Sequence, residues 1–349
     1  MEMTRKLATV RRIDSLDPIE GADKIECASI GGWKVVVQKG LYNVGDLAVY
    51  CEIDSWIPST VAPFLTKPGH PPKEFEGVVG ERLKTIKLRG QVSQGLLLPM
   101  SVVMGMCLPW AGEMEGYDLT EQLGILKWEK PLPAQLQGKV RGNFPHFIPK
   151  TDQERIQNLS RAFEEWRYYQ DAFEVTEKLD GSSMTVYVFE DRFGVCARNL
   201  DLTETPENAM WATARREQLE EKLRAACGGN LQLALQGELV GQGIQGNPYK
   251  LDHIQFRVYD IWSIGEQRYF TAAERWELCG EYGLSHVPLV INHYVIPEDY
   301  TIADILTLAE DQSLLEAKTL REGLVFKHKT DGSKSFKAIS NKFLLKHGD

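Results

Sequence analysis

The residues with the sharpest chemical meaning in this chain are Glu177-Lys-Leu-Asp-Gly-Ser182. A lysine stands at the end of an apolar β-type run and is followed at once by a tight polar turn, a placement that exposes an amine at the mouth of a sheet. At its usual pKa of about 10.4 a lysine amine is a poor nucleophile. A catalytic lysine here is therefore expected to be partly desolvated, or held near another cation that favours its neutral form. Asp-Gly is also a common hairpin pair, so the segment taken alone reads equally well as a turn with a solvated lysine.

The elements that must position this lysine have a mixed pattern. Strand-like runs at Phe173 to Glu177, Met184 to Phe189, Val195 to Ala197, Leu231 to Val240, Phe256 to Ile261 and Gly323 to Phe326 alternate with helical stretches, which fits an α+β or mixed α/β domain. Thr151-Asp-Gln-Glu154 has capping-box spacing and predicts a helix that carries Ile156, Leu159, Phe163 and Trp166 on one face. Thr205-Pro206 predicts a second helix running through Trp211 and Leu219 to a stop at Gly228-Gly229. Ahead of this lie short β runs at Leu7 to Val10, Trp33 to Val37, Ala48 to Ile53, Thr85 to Leu88 and Gly95 to Pro99, separated by turn residues. About five such strands in about a hundred residues suit a small OB-type β-barrel, though strand counting leaves other small all-β modules open. Lys130 to Lys150 contains Pro131, Pro133, Pro145 and Pro149 and reads as an extended connector. The expected organisation is a barrel domain over 1–130, a linker over 131–150 and a second domain over 151–349.

Composition limits what the molecule does. The formal net charge of -9 argues against coating nucleic acid by bulk attraction, so any polynucleotide contact must be local. The six cysteines (Cys27, Cys51, Cys107, Cys196, Cys227, Cys279) include no Cys-x-x-Cys pair and no histidine at zinc-ligand spacing, which points to a reduced, cytosolic setting. The most apolar stretch, Leu96 to Trp110, is too short to span a bilayer and is broken by Pro99 and Pro109; the amino terminus lacks the apolar block of a secretory signal. A basic group, Arg82, Lys84, Lys87 and Arg89, lies in the expected barrel and suits a phosphate backbone or, equally, a solubilising strand face.

Lys-x-Asp-Gly at Lys178 to Gly181 resembles the nucleotidyl-acceptor motif shared by ATP-dependent DNA and RNA ligases and messenger-RNA capping enzymes. Further segments resemble that superfamily's other motifs in its order. Arg198-Asn199 is similar to the segment that binds phosphate and the acceptor strand end, and Gly237-Glu-Leu239 to the one whose glutamate holds the ribose or a metal. Phe256-Arg-Val-Tyr-Asp-Ile261 resembles the strand that stacks an aromatic ring on the purine. Alternation puts Phe256 and Tyr259 on opposite faces, so only one of them can do this; Tyr259 is the preferred residue. Glu322-Gly-Leu-Val-Phe-Lys327 resembles the metal-binding glutamate motif, and Ser335-Phe-Lys337 the last motif, whose lysine touches the α-phosphate.

The resemblance implies that Lys178 accepts AMP from ATP, passes it to a 5′-phosphate, and that a 3′-hydroxyl then displaces AMP. Lys327 and Lys337 would offset charge on the phosphates, and Asp180, Glu238 and Glu322 would hold Mg²⁺ or Mn²⁺, which prefer oxygen ligands. Glu177, Arg198, Tyr259 or Phe256 and these same charged residues would line the ATP site, with Lys84, Lys87 and Arg89 on RNA. Ser183 stands where DNA ligases and capping enzymes usually carry arginine, and the barrel precedes the catalytic domain while only a dozen residues follow Lys337. Both features resemble the Naegleria- and Deinococcus-type RNA ligases, as do Ala22-Asp-Lys-Ile-Glu26, Gly31-Gly-Trp-Lys34, Val44-Gly-Asp46 and the run from Lys334 to Leu345. The fold this implies is an amino-terminal OB barrel followed by an ATP-grasp-like adenylation domain. The implied substrate is RNA, nicked or in an RNA-containing duplex, and no protein partner is called for. A DNA-joining or cap-forming enzyme using the same lysine, and a non-catalytic OB-fold binding protein, are the alternatives.

Overall fold

A computed structural model describes residues 5–106, 114–129, 136, 138–229 and 232–347. Cys107, Pro109, Trp110, Pro131 and Pro133 of the sequence reading lie outside the described residues. The chain divides into two compact units, one of Met1–Lys130 with Leu344–Asp349 and one of Pro131–Phe343.

The first unit is built from short antiparallel strands: β1 (Ala8–Arg12), β2 (Ser15–Pro18), β3 (Ile25–Ile30), β4 (Trp33–Gln38), β5 (Leu47–Cys51), β6 (Ser55–Pro58), β7 (Lys73–Phe75), β8 (Val78–Arg82), β9 (Thr85–Leu88), β10 (Gln91–Gln94), β11 (Leu96–Pro99) and β12 (Leu126–Lys127). They form small sheets in the orders β2-β3-β4, β1-β5-β11, β12-β6-β8-β7 and β10-β9. The short strands follow from the frequent turn residues, and the alternation of β4, buried at Trp33, Val35 and Val37, packs one face on Tyr50, Ile30 and Leu344. β11 takes up the start of the apolar stretch, which continues as a 3-10 turn at Met100–Val103. No helix among the described residues is long and apolar enough to cross a membrane.

The second unit holds two antiparallel sheets. The larger joins β13 (Lys139–Asn143), β15 (Ser182–Phe189), β16 (Arg192–Ala197), β17 (Leu200–Thr203), β18 (Leu233–Val240), β19 (Gln255–Ser263) and β20 (Arg268–Tyr269) in the order β13-β17-β16-β15-β18-β19-β20. The smaller contains β14 (Ala172–Lys178), β21 (Leu289–Val295), β22 (Gly323–His328) and β23 (Ser335–Ile339) in the order β21-β14-β22-β23. Helices Ala209–Arg216, Leu219–Cys227 and Ala272–Glu281 bury Trp211, Leu223 and Leu278 against the larger sheet. Helices Ser160–Tyr168 and Ile302–Leu308 bury Phe163, Trp166 and Ile305 against the smaller one.

Three expectations need correction. Residues 139–143, read as connector, pair with β17 as the edge of the larger sheet, and Phe144, Phe147 and Ile148 pack on Tyr187 and Trp262. Thr151 to Glu154 does not begin a helix: its side chains are engaged elsewhere, a 3-10 turn follows at Ile156–Asn158, and the helix starts at Ser160. The helix expected from Thr205 is capped instead by Asn208, whose Oδ1 accepts from Met210 N and Trp211 N, both at 3.0 Å. It breaks where Gln218 takes a left-handed φ of 56° and restarts at Leu219.

Candidate active site

Lys178 ends β14 in the smaller sheet, and Ser182 begins β15 in the larger, so the Leu-Asp-Gly turn is the crossover between the two. Leu179 is buried with Val240, Tyr249 and Val287, and Asp180 N donates to Tyr249 Oη at 2.6 Å, which fixes the turn on both sides of the lysine's neighbour. Gly181 is required by close approach: a Cβ there would meet Leu239 O at 2.5 Å and Glu238 Cγ at 2.7 Å. This contact brings the turn against the strand that carries Glu238.

Register places three lysines together. Lys178 pairs with Gly323, Glu174 with Lys327, and Val325 with Lys337, so alternation puts Lys178, Lys327 and Lys337 on one face of the smaller sheet. Glu177 pairs with Leu324 on the opposite face, where it is buried and its Oε2 accepts from Leu314 N at 2.8 Å. It therefore anchors the loop ahead of Glu322, which departs from the expected ATP-contacting role. Phe256 is likewise a core side chain, packed with Val258 and Leu239 against Gly237, where a Cβ would fall 2.6 Å from the Phe256 ring. Tyr259 is left as the aromatic on the other side of β19.

Electrostatics centre on Lys178, whose Nζ lies 2.6 Å from Glu322 Oε1. Burial pulls its pKa down, but Glu322, Glu238 and Asp180 outweigh burial and leave it raised. The surroundings thus favour the ammonium, the reverse of the neutral-favouring environment expected from sequence. Glu238 is pushed up to about 8, first by burial and then by Glu322 and Asp180, against the pull of Lys178 and Arg198. Asp180, Glu238 and Glu322 gather carboxyl oxygens around Lys178, and such a donor set suits a hard divalent cation. Among the described residues no three His, Cys, Asp or Glu side chains converge as a closed metal cluster. Such a cage is not needed by ions that keep several waters.

The remaining cations are paired. Lys337 Nζ contacts Asp152 Oδ1 at 2.9 Å, and Arg198 Nη2 contacts Asp152 Oδ2 at 3.3 Å. Lys327 is buried, 2.6 Å from Asp260 Oδ1, hydrogen bonded to Tyr259 O, and 5.5 Å from the centre of the Tyr259 ring. Burial lowers its pKa to about 8 despite Asp260. It ties the two sheets behind Tyr259, and does not stand free for a phosphate. Tyr259 Oη is hydrogen bonded to Thr151 Oγ1 at 2.8 Å.

Sequence reasoning missed Thr151, Asp152, Tyr249 and Asp260. Thr151 and Asp152 were legible only as a helix cap, Asp260 sat inside the Phe256 to Ile261 motif without a role of its own, and Tyr249 lay between motifs without a signal. Of the basic group, Lys87 and Arg89 are exposed on the β9–β10 hairpin in the first unit, and Lys84 is exposed just ahead of it. Arg82 is not available in the same way, since it pairs with Asp54 at 2.8 Å and stacks 3.6 Å over the Trp128 ring.

The RNA ligase family profile matches residues 171–339, and an OB-fold domain profile matches residues 7–100. Among solved structures, a mutant of Naegleria gruberi RNA ligase with ATP and Mn superposes with a TM-score of 0.90 at 45% identity, covering 98% of this chain and 99% of that one. Another mutant of the same ligase, with AMP and Mn, gives 0.90 and 45% over 99% of each chain. The ligase with PPi gives 0.90 and 45% over 99% of this chain and 100% of that one. No curated protein matches significantly. With near-complete coverage at 45% identity and the barrel and catalytic profiles in order, this chain belongs to the RNA ligase family.

Proposed function

We propose that the protein is an ATP-dependent RNA ligase that joins a 3′-hydroxyl to a 5′-phosphate through a lysyl-AMP intermediate on Lys178. The observation that carries this is the placement of Lys178 at the crossover of two sheets, in contact with Glu322 and within the field of Glu238 and Asp180. The 45% identity to a ligase described with ATP, AMP, Mn and PPi supports the choice of nucleotide and metal.

In the first step Lys178 Nζ, having given up a proton, forms a bond to the α-phosphorus while the bond to pyrophosphate breaks. The phosphoramidate is then attacked by the RNA 5′-phosphate, and the amine takes back a proton as it leaves. Finally the 3′-hydroxyl attacks that 5′-phosphorus and AMP departs. Tyr259 offers its ring to the purine, while Lys337 and Arg198 bind phosphate oxygens. Asp180, Glu238 and Glu322 would hold Mg²⁺ or Mn²⁺ through oxygen ligands. The cation, when bound, supplies positive charge that offsets these carboxylates and the phosphate oxygens. Those carboxylates hold Lys178 as the ammonium, so Nζ must shed a proton before it attacks the α-phosphorus. Lys84, Lys87 and Arg89 contact the RNA backbone, and the five cysteines among the described residues, all buried and free, suit an intracellular, reducing setting.

Incubation with α-labelled ATP and magnesium, followed by a denaturing gel, tests the central step. A labelled adduct that survives denaturation and is lost in Lys178→Ala is expected; no adduct, or one mapped by mass spectrometry to another side chain, overturns the reading. Nicked duplexes with RNA on only one side of the break then define the end requirement.

A further inference from the structure

Residues 147–154 form a strap that ties the two sheets of the second unit. Phe147 O accepts from Trp262 Nε1 at 3.0 Å and Pro149 O from Gln236 Nε2 at 2.7 Å, which fix the strap on the larger sheet. Glu154 O accepts from Lys337 N at 2.9 Å, which fixes its far end on the smaller one. Between these anchors, Thr151 meets Tyr259 Oη, and Asp152 meets both Arg198 and Lys337.

We propose that Thr151 and Asp152 are positioning residues for nucleotidyl transfer: Thr151 orients the Tyr259 ring, and Asp152 sets Arg198 and Lys337 at a common distance for phosphate. This rests on the reading of Lys178 as the AMP acceptor. The need for a separate device is visible at each partner. Tyr259 falls at the register shift between Gln236 and Gly237, where Asp260 and Val258 have cross-strand partners and Tyr259 has none. A residue in a bulge is not aimed by ladder pairing, so a bond to its hydroxyl supplies the orientation. Arg198 and Lys337 come from different sheets, and no shared strand fixes their separation. One carboxylate with an oxygen on each does so, through charge-assisted hydrogen bonds. The opposite role, in which Asp152 only fills the phosphate position, predicts that removing it tightens phosphate binding.

The test uses the full chain and measures KM for ATP and the maximal rate of lysyl-AMP formation in Thr151→Val, Thr151→Ser, Asp152→Ala and Asp152→Asn. Thr151→Val is expected to raise KM about fivefold with a smaller effect on rate, the size of one neutral hydrogen bond. Thr151→Ser should restore it, and in a Tyr259→Phe background Thr151→Val should add nothing. Asp152→Ala is expected to lower the rate about tenfold or more and to raise the inhibition constant of pyrophosphate, with Asp152→Asn in between. A lower KM or tighter pyrophosphate inhibition in Asp152→Ala, or full additivity of Thr151→Val with Tyr259→Phe, overturns the proposal. If Asp152→Ala does not fold, as judged by circular dichroism, Asp152→Asn and the Thr151 series decide. Absence of an adduct on Lys178 in the unsubstituted protein instead refutes the underlying reading, so the two failures are distinguishable.

Discussion

Lys178 and His286 are opposite cases of one rule, that a partly desolvated base takes the protonation state its neighbours impose. Three carboxylates hold Lys178 as a cation. His286 is held neutral, its pKa pushed down to about 3 by desolvation and by Arg275, against its own bond to Val287 O. The geometry agrees: Arg275 Nε donates to His286 Nε2 at 2.9 Å, which leaves the ring proton on Nδ1 facing Val287 O at 2.7 Å. Between the ordinary value of 6.5 and about 3, the unfolded chain carries a proton here that the folded chain does not. Stability therefore falls as pH drops through that window, by at most about 1.4 kcal/mol per pH unit from this group. Urea midpoints at pH 7 and pH 4.5 should drop more steeply for the unsubstituted protein than for His286→Asn. Equal drops would show that His286 titrates normally.

At the scale of elements, local chemistry sets where helices start and turns close, and two sites expose it. Asn208 is buried and caps the helix Ala209–Arg216 with two backbone hydrogen bonds. Asn208→Ala should cost about 1 kcal/mol in denaturant unfolding while leaving lysyl-AMP formation intact, since this helix packs on the face of the sheet away from Lys178. Gly181→Ala is the converse. Its Cβ would press on the Leu239 carbonyl and on Glu238, so the crossover turn must shift. A loss of adenylation of about tenfold or more is expected, with a destabilisation of about 1–3 kcal/mol. Activity unchanged by this substitution would mean that the turn has slack the packing does not suggest.

For the whole molecule, an overall charge of -9 makes local basic features decisive for any contact with RNA. The β9–β10 hairpin closes on Arg89 and Gly90, both at positive φ (49° and 86°), a two-residue turn that keeps the ribbon stiff. Lys87 and Arg89 on it and Lys84 just ahead of it are exposed, whereas Arg82 holds its guanidinium against Asp54 and Trp128. Replacing Lys84, Lys87 and Arg89 together with alanine should weaken binding to nicked RNA and flatten its salt dependence without changing adenylation. A gel-shift titration over salt concentration checks the first part and the labelled-ATP assay the second; parallel loss of both would place the hairpin in the chemistry itself.

The strands that bear Lys178, Glu238 and Glu322 are carried by local signals, turn pairs and alternation, and the reading of these three residues as one site came from the resemblance of their motifs to those of nucleotidyltransferases. Such signals depend on residues near one another in the chain, so the sequence by itself determined the strands and their order. It also narrowed the stacking ring to Phe256 or Tyr259, because alternation is a local property. Only the tertiary structure decided that Phe256 packs in the core, that Glu177 turns into the packed side, and that Lys327 is held by Asp260. The same holds for Thr151 and Asp152, whose helix-cap spacing was overridden by Tyr259, Arg198 and Lys337. Those partners are far away in sequence, and a side chain that can satisfy either a nearby amide or a distant cation is assigned only when the sheets are assembled around it.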